Sequence, residues 1–137
     1  MLSAGVVAAE GTVTRRALVL DDRAQIADHL RQWVREKACD VILTTGGTGL
    51  GPLDVTPDAT LDVLTREVPG LAEYLRLRGL EETPFAALSR GKAGLAEGVL
   101  VINLPGSVQA CRSGLDVLLP LLPHAVAVMD GGGHAGA

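Results

Sequence analysis

Residues 44–60 read TTGGTGLGPLDVTPDAT, and five of the first nine are glycine or proline. The apolar run DVILTT leads into this stretch and the helically spaced LDVLTREV leads out of it. Turning a corner takes only a few residues. A loop this long and this rich in glycine lets backbone approach a ligand closely. Its threonines and aspartates supply polar groups to hold one. The local pattern is therefore strand, Gly-rich loop, helix, with Thr56 as the expected N-cap and Pro57 in the first turn.

The same alternation extends outward. TVTRRALVLDD, residues 12–22, is rich in β-formers and is expected to be a strand ending on Asp21 and Asp22. Residues 23–38 are expected to be helical, because Ile26, Leu30, Trp33 and Val34 fall on one face. CDVILTT (39–45) and GVLVINLPG (98–106) are short and apolar, as strands covered on both faces should be. Residues 56–68 and 69–82 suggest two helical pieces, and 83–98 is mixed and broken by glycines. A helical pattern fills 107–129, with a break at Pro120 and Pro123. Together these predict an α/β fold: a three-layer sandwich with a mostly parallel sheet and helices on both faces. One domain over 1–130 with a flexible tail over 131–137 is expected.

The totals limit the partners. The 137 residues carry a net charge of −4 and are only 2% aromatic. Neither a basic footprint nor stacking platforms for nucleic acid are present. No apolar run reaches the length of a membrane helix, so a cytoplasmic protein without a membrane partner is expected. Cys39 and Cys111 have no metal-ligand spacing and read as reduced, small apolar residues.

In open α/β sheets, ligands bind beyond the carboxyl ends of the strands. Three such ends are expected on one edge, at 20–22, 44–49 and 103–107. Gly46, Gly47 and Gly49 can aim N–H groups at an anion, and Thr44, Thr45 and Thr48 add hydroxyls. No Lys-Ser/Thr follows the glycines, so this is not the loop of an ordinary nucleoside triphosphatase. Asp54 and either Asp21 or Asp22 could share Mg²⁺ with substrate phosphates. The plainer readings stand beside these: a tight turn for the glycines, helix caps for Asp21, Asp22 and Ser107, a first-turn charge for Asp58, and a solvated Arg90. His29, His124 and His134 have no catalytic partner pattern. What remains is positioning and electrostatics, as phosphoryl or nucleotidyl transfer requires.

Four blocks in this order and spacing, TTGGTGLGPLDVTPDAT, REVPGL, ALSRGKAG and VINLPGS, resemble the MoaB/MogA family of molybdenum cofactor biosynthesis, over roughly residues 19–128. A CinA-type domain fits less well. The resemblance implies a molybdopterin-binding domain, usually trimeric, that transfers AMP from Mg·ATP to molybdopterin for a downstream molybdenum-insertion protein. The alternative within the fold is a non-catalytic molybdopterin-binding or oligomerisation module. Carried over residue by residue, Asp54 and Asp21 are the catalytic and metal-associated acids. Thr45, Gly46, Gly47, Thr48, Gly49, Ser89, Arg90, Pro105, Gly106 and Ser107 are the substrate-holding set. The family's opening strand with its Ser-Asp-type loop has no counterpart ahead of Asp21. Residues 2–13, or a neighbouring subunit, are expected to cover its place.

Overall fold

The computed structural model of the protein describes residues 12–37 and 39–132. Asp22 opens α1 (Arg23–Glu36) by accepting the Gln25 N–H at 2.9 Å, and Lys37 closes it in the left-handed conformation. Then follow β1 (Val41–Thr45), α2 (Thr56–Val63), β2 (Arg66–Glu67), α3 (Pro69–Leu80), a 3₁₀ turn (Pro84–Leu88), β3 (Ala93–Ala96), β4 (Val99–Leu104), α4 (Val108–Leu118) and α5 (Leu122–Met129).

The strand order is β1-β4-β3-β2. β4 is buried along its whole length, which its continuous apolar run permits. Its side chains alternate between two cores. Val99 and Val101 join Ile26, Leu30 and Val34 of α1 and Ala59 of α2 on one face. Leu100, Ile102 and Leu104 join Leu115 and Leu118 of α4, with Leu71 and Leu75 of α3 packed around them, on the other. Helices therefore cover both faces of one sheet, as expected of a three-layer α/β sandwich. Among the described residues no single helix is long and apolar enough to cross a membrane.

The sheet differs from the expectation in its directions. Only β1 and β4 pair in parallel, whereas β3–β4 and β2–β3 are antiparallel, so the described sheet is mixed rather than mostly parallel. The cause lies at Glu97 and Gly98, which both take positive φ (48° and 84°) and fold β3 back onto β4 as a two-residue hairpin. β3 itself, AGLA, is too poor in β-branched residues to announce a strand.

Two further expectations are corrected. Residues 12–20 do not form a strand, because no described strand offers them a ladder, and β-branched composition alone does not make one. Val19 packs on the α1–α2 core while Leu18 and Leu20 face outward, 102% and 71% exposed. Thr56 is not a side-chain N-cap: Val55 holds that position, and α2 ends at Val63, leaving Arg66–Glu67 to pair with β3. The covering segment expected over 2–13 and the tail over 131–137 lie largely outside the described residues.

Candidate functional site

β1 and β4 are parallel neighbours, so their carboxyl ends leave the sheet on the same edge. β3 runs antiparallel to β4, so the segment entering it, Ser89–Lys92, arrives on that edge too. This geometry gathers three loops. Thr45 Oγ1 donates to Pro105 O at 2.8 Å and lies 3.8 Å from Cys111 Sγ, and Gly46 N donates to Leu104 O at 3.0 Å. The two Gly loops nearly touch: a Cβ on Gly106 would stand 3.2 Å from Gly46 Cα. Gly47 takes φ +67°, and a Cβ there would collide with the Thr56 hydroxyl at the start of α2. Glycine is thus required at 47 by the approach of α2 and favoured at 46 by its φ of +88°, and a side chain at 106 would crowd the facing loop.

The loop leaves donors over. The backbone N–H groups of Gly47, Thr48, Gly49 and Leu50 find no acceptor among the described residues, nor do those of Gly106 and Ser107. The N-termini of α2 and α4 open beside them. Unpaired N–H groups and helix N-termini carry partial positive charge and together suit an anion. Asp54 sits in the same loop, partly buried, with Oδ2 accepting Gly51 N–H at 2.9 Å. Its other oxygen has no partner among the described residues. A carboxylate beside an anion cradle is repulsive unless a cation lies between them. Mg²⁺, which takes one or two carboxylates together with substrate phosphates, fits that arrangement. The fit extends to a single protein carboxylate: no group of three or more His, Cys, Asp or Glu among the described residues could hold a metal alone.

The remaining expected residues divide. Asp21 is exposed and makes no hydrogen bond or ion pair among the described residues, so nothing ties it to Asp54. Asp22 is a helix cap. Ser107 caps α4 by accepting Ala110 N–H at 3.2 Å, which leaves its own O–H free to donate. Ser89 Oγ accepts Gly91 N–H at 3.2 Å, again with a free O–H. Arg90 is not an open anion hook. Its Nε donates to Gly49 O at 3.0 Å, its Nη2 to Asp54 O, and its two terminal nitrogens grip both Asp58 oxygens at 3.3 and 3.1 Å. Arg90 in turn holds the Asp58 carboxyl below the usual carboxylate range, chiefly by this hydrogen bonding. Asp58 is therefore more than a first-turn helix charge.

Asn103 escaped the sequence reading. It is 3% exposed, its Nδ2 donates to Thr44 Oγ1 and Thr60 Oγ1, both at 2.9 Å, and its Oδ1 accepts Lys92 N–H at 3.0 Å. One buried amide thus joins β1, α2 and the segment entering β3. The available signal was a lone amide inside the apolar run VLVINL. Arg76 was also missed. From α3 its Nη1 donates to Gly91 O at 2.9 Å and to Ser89 O at 3.4 Å, steadying the same segment.

Comparison with known proteins bears on this edge of the sheet. Residues 1–124 match a family model described as "Probable molybdopterin binding domain". The chain is 46% identical over 109 residues to the molybdenum cofactor synthesis protein cinnamon of Drosophila melanogaster, covering 80% of this chain and 18% of that protein. It is 39% identical over 114 residues to a molybdopterin adenylyltransferase of Helicobacter pylori, covering 83% of this chain and 65% of that one. The chain thus spans less than two thirds of either relative. The solved structure of the Mog protein from Mycobacterium ulcerans aligns with TM-score 0.88 at 36% identity, over 93% of this chain and 83% of that one. The MoaB enzyme of Thermus thermophilus aligns with TM-score 0.75 at 52% identity, over 81% of this chain and 70% of its own.

Proposed function

Because the chain belongs to the molybdopterin-binding domain family of molybdenum cofactor biosynthesis, we propose that it is a molybdopterin adenylyltransferase, moving AMP from ATP to the terminal phosphate of molybdopterin. A phosphate oxygen of molybdopterin attacks the α-phosphorus of ATP, the bond to the β-phosphate oxygen breaks, and pyrophosphate leaves. The observation that carries the reading is the run of four unpaired N–H groups, Gly47 to Leu50, beside Asp54 and two helix N-termini. Such a transfer needs positioned donors for spreading phosphate charge more than it needs a nucleophilic side chain.

In this proposal Gly47, Thr48, Gly49, Gly106 and Ser107 hold the phosphates through backbone N–H groups and the Ser107 hydroxyl, while Gly46, whose N–H is taken by Leu104 O, shapes the turn. Ser89 offers its hydroxyl from the neighbouring segment. Thr45 and Pro105 bind each other and shape the wall of the site. Asp54 would hold Mg²⁺, which, when bound, neutralises the developing phosphate charge. Asp21 is the second acid that the resemblance assigns, and its share is read from an Asp21→Asn variant in the same assay. A homotrimer in the cytoplasm, handing its product to a molybdenum-insertion protein, belongs to the same proposal. The apolar side chains Leu77 and Phe85, 64% and 74% exposed on α3 and the adjoining 3₁₀ turn, support burial between copies.

The test is incubation of the chain with Mg·ATP and molybdopterin, with adenylylated molybdopterin and pyrophosphate as readouts. Product formation supports the transferase. The separation of Asp21 from the loop's hydrogen bonding favours a second reading, a non-catalytic binding or oligomerisation module. Tight molybdopterin binding without AMP transfer would select that second reading.

A further inference from the structure

We propose that Arg90 is a positioning residue: it touches no substrate but fixes the loop that carries Asp54. Arg90 reaches this loop through its backbone N–H, its Nε and its Nη2. Its backbone N–H donates to Thr48 O at 2.7 Å, its Nε to Gly49 O at 3.0 Å, and its Nη2 to Asp54 O. The far side of the fork is chelated by Asp58, 32 residues away on α2, at 3.3 and 3.1 Å. The loop is thereby held at Thr48 by the Arg90 backbone and at Gly49 and Asp54 by its guanidinium, itself locked against a helix. Arg76 adds the support behind it by holding Ser89 O and Gly91 O.

The glycines make such a clamp necessary. Gly46 and Gly47 stand at φ 88° and 67°, and glycine loses more freedom on ordering than any other residue. The four N–H groups from Gly47 to Leu50 have no partner among the described residues to hold them in place. Without an external tie the loop would sample many arrangements, and the Asp54 carboxylate would move with it. Arginine suits this task because its donors sit in a fixed fork, whereas lysine offers one rotating ammonium. Since a misplacement of about 1 Å can cost on the order of 10²-fold in rate, loop order should register more in turnover than in substrate affinity.

The inference rests on the AMP-transfer reading for its kinetic half and stands apart from it for its structural half. The experiment combines an Arg90→Lys variant, Asp54→Asn and the double variant with amide hydrogen exchange. Arg90→Lys is expected to lower kcat about 10- to 100-fold with a smaller rise in KM for ATP. Added to Asp54→Asn it should lower kcat little further, because it acts through Asp54. Exchange at the Gly51 and Asp54 amides should quicken about 10-fold while β4 keeps its protection. Multiplying losses in the double variant, or unchanged exchange at Gly51 and Asp54, would overturn the proposal. If Arg90→Lys also strips β4 of protection, Asp58→Asn replaces it: the same selective loop exchange supports the clamp, and an unaltered loop refutes it. A parent chain that transfers no AMP sinks the function proposed above, and loop exchange alone then decides the role of Arg90.

Discussion

Replacing Asn103 by alanine tests whether a single buried amide holds the three parts of the site together. The parent side chain makes two donor bonds, to Thr44 and Thr60, and accepts one from Lys92 N–H. Removal strands the Lys92 N–H and deprives the Thr44 hydroxyl of its donor. Thr60 suffers less, because its own O–H already donates to Thr56 O at 2.8 Å. Two groups left short, at about 1–3 kcal/mol each, give a loss of roughly 2–6 kcal/mol. An unfolding entropy near 2.1 cal/mol/K per residue over 137 residues makes that a fall of about 7–21 °C in Tm. Thermal and urea unfolding of parent and variant measure it. The bond directions are checked by Asn103→Asp, whose carboxylate accepts from Lys92 but cannot donate to either threonine. At pH 7 it should be destabilised as strongly as the alanine variant, and the deficit should narrow in acid as the carboxyl gains a proton. A Tm drop below about 2 °C for Asn103→Ala, or an Asn103→Asp protein as stable as the parent at pH 7, would refute the reasoning.

Asp54→Asn is expected to lower AMP transfer by about 10²-fold or more while molybdopterin binding changes little; equal loss of both would make Asp54 a binding or folding residue. The Asp58 carboxyl, held low by Arg90, favours the fold fully above about pH 4 and loses that effect as the pH falls through its lowered value. The parent should therefore lose urea resistance below about pH 4 more steeply than Asp58→Asn, and parallel curves would remove the ion pair from the account. Light scattering should find a trimer at working concentration, and a monomer alone would end that part of the proposal.

The sequence by itself determined whatever depends on neighbours along the chain. TTGGTG after an apolar run can only be a loop, Thr56-Pro57 starts a helix, and VLVINL belongs in a buried strand. The ordered blocks that resemble one family also lie on the surface of the sequence. Since parallel strands β1 and β4 emit their loops on one edge, the meeting of TTGGTG with LPGS was already implied. Tertiary structure decided what depends on a distant partner. TVTRRALVL has the composition of a strand, yet residues 12–20 join no described sheet, because a strand exists only where another offers its ladder. AGLA has little strand character and becomes β3, because Glu97–Gly98 folds it onto β4. Arg90 read as a solvated cation or an anion hook until its fork was seen closed on Asp58 and on the loop it crosses. Asn103 could be noticed as an oddity, but its three partners come from three separate segments. Propensity and spacing are local quantities, whereas hydrogen-bond partners separated by 32, 43 or 59 residues are fixed only when the sheet and its helices close around them.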